Sequence, residues 1–200
     1  MRDRIRNKLQ ALAAILTFLL LAAGYARLAL PHEESETDAL FSGLSQDSPL
    51  FVDAVAGLSG EAEAIVLYDA LTDTVLYAHG GDKRLPMAST TKIMTATVAL
   101  ERGDPDAAFT IPESVCGVEG SSIYLHAGEV LTLRELLYGL MLESGNDAAE
   151  AVAVCVGGTK ENFVSMMNEK AEQLGLSSTH FDNPHGLSSE THYTTAKELA

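Results

Sequence analysis

Three kinds of apolar pattern follow one another along the 200 residues. From residue 9 to residue 23 apolar side chains run almost unbroken. Short β-prone runs come next, Ile65-Val66-Leu67-Tyr68 within 63–69 and Thr74-Val75-Leu76-Tyr77 within 73–78, split by turn chemistry around Thr72-Asp73. This predicts a β-hairpin. Two strands alone are marginal in water, so the hairpin is expected to join a larger sheet. Beyond Pro86 the spacing becomes helical. Residues 87–102 carry an apolar face including Ile93, Met94, Ala96 and Leu100, with a stop at Gly103. Thr132-Leu133-Arg134-Glu135 reads as a capping box ahead of Leu133, Leu136, Leu137, Leu140 and Met141. Residues 147–156 predict a further helix closed by Gly157-Gly158, and Thr159 caps another with Phe163, Met166, Met167, Ala171 and Leu174 on one face and Gly175 past its end. Thr195-Ala196-Lys197-Glu198 repeats the capping-box pattern just before Ala200. One turn of helix is not stable alone, so the 200 residues are expected to be part of a longer protein.

The first apolar run acquires a meaning from its flank. Arg2, Arg4, Arg6 and Lys8 precede it, and Gly24-Tyr25-Ala26 sets small residues before a cut after Ala26. Residues 1–26 therefore read as an export signal. An uncleaved anchor reaching about residue 30 is the alternative, although roughly 15 apolar residues and Arg27 suit a signal better than a span of roughly 20. Residues 31–50 are acidic and Ser-rich, including His32-Glu33-Glu34-Ser35-Glu36, and read as a linker. Residues 51–200 then hold the folded part. The formal charge is −15. Because segment 1–26 carries a net +3, its removal leaves −18. So acidic a chain is unsuited to nucleic acid or to an anionic membrane face, and membrane contact is expected only through the N-terminal segment or a C-terminal tail beyond Ala200. Cys116 and Cys155 do not make a disulfide framework, and Cys155 sits in an apolar helical run; both are expected unpaired.

Candidate chemistry begins at Ser89-Thr90-Thr91-Lys92. Positions i and i+3 are neighbours on a helix face, so Lys92 can reach the hydroxyl of Ser89. Pro86 puts Ser89 in the first turn, where N–H groups have no intrahelical partner and can bind an oxyanion. Serine becomes a useful nucleophile only when a base takes its proton, and lysine serves as that base only when its ammonium is destabilised. Further polar groups must therefore converge on the pair. Ser144-Gly145-Asn146, at the junction of two predicted helices, supplies them. The Ser144 hydroxyl can shuttle a proton between Lys92 and a leaving amine, and the Asn146 amide can hold a substrate peptide group while orienting Lys92.

S-x-x-K followed by S-x-N is shared by penicillin-binding proteins and class A β-lactamases. The stretches 86–96, 135–149, Asn183-Pro184-His185-Gly186-Leu187 and His192-Tyr193-Thr194-Thr195-Ala196 resemble one branch specifically, the serine D-alanyl-D-alanine carboxypeptidases, which are low-molecular-mass penicillin-binding proteins. The resemblance runs from about residue 62 to residue 200. It implies an α/β (α+β) fold of the β-lactamase/transpeptidase kind: an antiparallel five-stranded sheet flanked by helices, plus an all-helical subdomain, incomplete at its C-terminal end here. It also implies an acyl-enzyme on Ser89, with Lys92 as base, Ser144 as a further catalytic group, Asn146 on the substrate and the Ser89 N–H in the oxyanion hole. The implied partners are peptidoglycan stem peptides ending in D-Ala-D-Ala and β-lactam antibiotics, with no cofactor. The sequence departs from the family in one respect, for it contains no Lys-Thr-Gly. In the family that motif lies on a later strand and binds the substrate carboxylate, so these 200 residues alone are expected to be inactive.

Two rivals remain. A class A β-lactamase needs a Glu followed four residues later by Asn after the S-x-N; Glu150, Glu161, Glu169, Glu172 and Glu190 are followed by Val154, Ser165, Gln173, Leu176 and Thr194. A non-catalytic peptidoglycan-binding scaffold would have little reason to keep Ser89, Lys92, Ser144 and Asn146 together. The histidines, His79, His126, His180, His185 and His192, match no metal-ligand spacing, and His185 reads as a structural part of its loop.

Overall fold

The computed structural model describes residues 62–200. The segments expected to be an export signal (1–26), a linker (31–50) and the start of the folded part lie outside the described residues. β1 (Ile65–Asp69) and β2 (Thr74–His79) pair antiparallel, with a bulge between Leu67 and Tyr68. The turn is held by Asp69, whose carboxylate accepts from Leu71 N–H at 2.9 Å and the Thr72 hydroxyl at 2.6 Å. A second pair, β3 (Ala108–Thr110) with β4 (Val130–Thr132), was not legible in the apolar pattern because each strand has only three residues. Where a five-stranded sheet was expected, the described residues form two separate two-stranded antiparallel pairs.

Among the described residues five α-helices follow one another: α1 (Thr91–Arg102), α2 (Leu133–Leu142), α3 (Asn146–Gly157), α4 (Lys160–Gln173) and the single turn α5 (Ala196–Leu199). Among the described residues no helix is long and apolar enough to cross a membrane. α3 packs against α1, α2 and α4. Its Ala151, Val152 and Ala153 are fully buried with Val98 and Ala99 of α1, Leu133 and Leu136 of α2, and Phe163 and Met167 of α4. Small residues on α3 let three helices approach it, and this removal of apolar surface from water is the main stabilising term.

The caps agree in part with expectation. At Thr132 both halves of the capping box form: its hydroxyl accepts from Glu135 N–H, and the Glu135 carboxylate accepts from Thr132 N–H. Thr159 accepts from Asn162 N–H at 3.1 Å. At Thr195 only half forms, since Glu198 turns to Ser178 N–H and the Thr179 hydroxyl instead and ties α5 to the preceding loop. The apolar face of α1 also departs from its periodicity. Ile93 and Leu100 are exposed, whereas Thr91, Lys92 and Thr95 are buried. Part of the inward face is polar because it meets partners that satisfy it: Lys92 and Thr95 donate to carbonyls of loop 183–187, and Thr91 bonds Ala88 O and the His192 ring.

Candidate active site

Ser89 lies in a 3-10 turn, Ala88–Thr90, that leads into α1 and is not part of it. The carbonyl that a helical Ser89 N–H would reach, that of Leu85, instead accepts from Thr194 N–H at 3.1 Å. Ala88, immediately before the serine, has φ 46°, a left-handed conformation costly for a residue with a Cβ. It is held by a relay. Asp182 N–H donates to His192 Nδ1 at 3.0 Å, which leaves the ring proton on Nε2, 2.7 Å from Thr91 Oγ1; that hydroxyl donates to Ala88 O at 2.8 Å. Burial holds His192 below the usual histidine pKa, against the opposing pull of Asp182, which suits this neutral ring.

Lys92, one helical turn on, is only 2% exposed. Its Nζ lies 3.1 Å from Ser89 Oγ, 2.8 Å from Asn146 Oδ1 and 2.8 Å from the carbonyl oxygen of His185. Loss of hydration lowers its pKa from the ordinary lysine value. Asn146, the first residue of α3, is pinned at its other end by donating to Glu119 O at 2.6 Å. Its neighbour Asp147 is fully buried and accepts from Ser122 Oγ and from the N–H groups of Ile123 and Leu125, so it fixes loop 121–125 beside the site.

Ser144 sits between α2 and α3 with φ 53°. Gly145 N–H reaches back to Gly139 O at 3.2 Å and closes the chain around it. Among the described residues Lys92 spends its contacts on Ser89, Asn146 and His185, and the Ser144 hydroxyl is bonded to none of the three. Two of the three groups on the amine, Ser89 and Asn146, are thus legible in the sequence, and the third is not. The His185 carbonyl is backbone, and no residue type advertises it.

Loop 183–187 carries that carbonyl. Asn183 Oδ1 accepts from His185 N–H and Gly186 N–H, while its amide donates to Leu187 O. Thr95 of α1 donates to Pro184 O at 2.7 Å. Gly186 has φ 94°, and a Cβ there would come within 1.8 Å of Ala88 O, so only glycine allows the loop to approach the serine turn so closely. Among the described residues no cluster of His, Cys, Asp or Glu could hold a metal ion, and Cys116 and Cys155 are free thiols.

A serine hydroxyl against a buried lysine amine, with an asparagine carbonyl on the same amine, is the layout of the serine–lysine acyl-transfer class. The chain belongs to the D-alanyl-D-alanine carboxypeptidase family, whose profile matches residues 52–200. It is 41% identical over 148 residues to the D-alanyl-D-alanine carboxypeptidase DacF of Bacillus subtilis, covering 72% of this chain and 38% of that protein. The crystal structure of the D-alanyl-D-alanine carboxypeptidase DacD from Francisella tularensis superposes with a TM-score of 0.67 at 37% identity, covering 71% of this chain and 36% of the other. That of penicillin binding protein 6B from Escherichia coli gives 0.65 at 34% identity, covering 70% and 48%. The fold is thus of the penicillin-binding, β-lactamase/transpeptidase-like kind, and the chain spans less than half the length of these relatives.

Proposed function

We propose that this chain carries the acylating centre of a serine D-Ala-D-Ala carboxypeptidase that trims peptidoglycan stem peptides. The observation that supports the reading best is the surroundings of Lys92 Nζ. A neutral amine has two N–H groups and one lone pair. With the hydrogens directed to Asn146 Oδ1 and His185 O, the lone pair is left for the hydroxyl proton of Ser89. Burial favours that neutral form. Ser89 Oγ then bonds to the carbonyl carbon between the two D-alanines as its proton passes to Lys92, with the Ser89 N–H as one oxyanion donor. Ser144 relays the proton to the nitrogen of the departing D-alanine as the C–N bond breaks. Water hydrolyses the ester, and Asn146 holds the substrate's peptide group.

β-Lactams would acylate the same serine, since their ring amide presents a comparable carbonyl. The substrate carboxylate needs a cation of the kind a Lys-Thr-Gly strand supplies. The sequence has none, so the 200 residues alone should be inactive. The basic and apolar segment 1–26 supports export, which would place the protein in the cell envelope, with a part in wall biogenesis and cell shape. The deciding experiment is intact mass and peptide mapping of the full-length protein after penicillin, with Ser89→Ala as control. A long-lived adduct on Ser89 is expected. Rapid release of the adduct would mark a β-lactamase, and a folded protein that takes up none would leave a non-catalytic scaffold.

A further inference from the structure

Asn146 and Glu150 stand four residues apart, on one face of α3. Asn146 meets Lys92 directly. Glu150 meets the residue that supplies the other carbonyl, since its Oε1 lies 3.0 Å from His185 Nε2. The direction of that bond is fixed by the rest of the ring: Leu187 N–H donates to His185 Nδ1 at 3.1 Å, so the ring proton is on Nε2 and points to the carboxylate. The same Oε1 accepts from Lys160 Nζ, at the start of α4, at 2.5 Å. Glu150 and His185 are both nearly buried, at 8% and 6% exposure. Burial raises the Glu150 carboxyl pKa, but the hydrogen bonds from His185 and Lys160 outweigh it, so the group is held as a carboxylate. Burying the carboxylate costs desolvation, which the two donors offset only while they are held in this geometry.

We propose that Glu150 is a positioning residue for Lys92, acting through His185. By gripping the imidazole from α3, it fixes the His185 backbone carbonyl 2.8 Å from Nζ, so that one helix sets both carbonyls that orient the amine. The inference rests on the reading of Ser89 and Lys92 as nucleophile and base.

Reach and charge can be separated. Glu150→Gln keeps an oxygen that can accept from both His185 and Lys160 but removes the charge. Glu150→Asp keeps the charge and draws the oxygen back by about 1.5 Å. Glu150→Ala removes both. With the full-length protein and a fluorescent penicillin, the acylation rate constant and the preceding dissociation constant are measured separately, and melting curves identify the folded variants. Glu150→Gln should acylate within about threefold of wild type. Glu150→Asp and Glu150→Ala, whichever of them folds, should lose about tenfold or more in the rate constant with the dissociation constant unchanged. Equal rates in all variants, equal losses in all, a loss confined to Gln, or a loss only in the dissociation constant would each overturn the proposal. A wild-type protein that takes up no penicillin would instead sink the serine–lysine reading beneath it.

Discussion

A lysine enclosed as Lys92 is loses most of the water that favours its ammonium form, and nothing acidic stands among its three partners to replace that water. Its folded pKa is lowered while the unfolded chain keeps the ordinary value near 10.5. Between the two values the unfolded chain binds more protons, so stability attributable to this residue rises with pH across that window, and below it the burial penalty is felt in full. In the full-length protein, Ser89 acylation should accordingly climb with pH to a plateau whose midpoint lies below 10.5, and Lys92→Ala should remove that limb along with most of the rate. The two thiols offer a separate test. Burial pushes Cys155 up to about 11, and Cys116 is also raised. Both should react slowly with a thiol reagent at neutral pH and rapidly after unfolding, which a colorimetric disulfide reagent reads directly.

At the scale of elements, loop 183–187 acts as a wall of the site. Its three anchors on the turn and helix of Ser89 are Thr95 to Pro184 O, Lys92 to His185 O and the contact of Gly186 with Ala88. Gly186→Ala would force the loop away from the nucleophile, because the new methyl has no room and φ 94° is unfavourable for alanine. Its penicillin acylation should fall by at least tenfold even where the circular dichroism spectrum is that of wild type. The caps are separable from chemistry. Thr132→Ala removes the hydroxyl that accepts from Glu135 N–H at the start of α2, leaves the backbone half of the box in place, and should cost about 1 kcal/mol in a denaturant titration. It lies away from Ser89 in the bonding network and should leave the acylation rate of the folded protein near wild type.

The molecule as a whole is held unevenly. α3 is enclosed on three sides by helices, whereas β1 and β2 pair only with each other among the described residues, and Leu67 and Tyr68 remain exposed. Amide hydrogen exchange should reflect this difference. The backbone N–H groups of 148–156 should exchange only on global unfolding, and those of the hairpin should open at far lower free energy. Leu136→Ala, at the fully buried junction of α2 with the core, should cost about 2–5 kcal/mol and shift exchange of α2, α3 and α4 together.

Local rules were enough for the hairpin, four helical segments, three N-cap threonines and the Ser89–Lys92 pair, because a period, a cap or an i to i+3 spacing acts within a few residues of chain. They also brought out Ser144 and Asn146 as one string beside a helix start. What they could not decide is which face of α1 turns inward, since Thr91, Lys92 and Thr95 are buried by partners roughly 90 to 100 residues away that no local spacing reveals. The same limit hid β3 and β4, which are too short to show a period, and the diversion of Glu198 from its own cap to Ser178 and Thr179. Sequence by itself determined which groups could do acyl chemistry. Only the tertiary structure, by closing loop 183–187 onto α1, decided that a backbone carbonyl completes the lysine's surroundings and that a glutamate on α3 grips the residue that provides it.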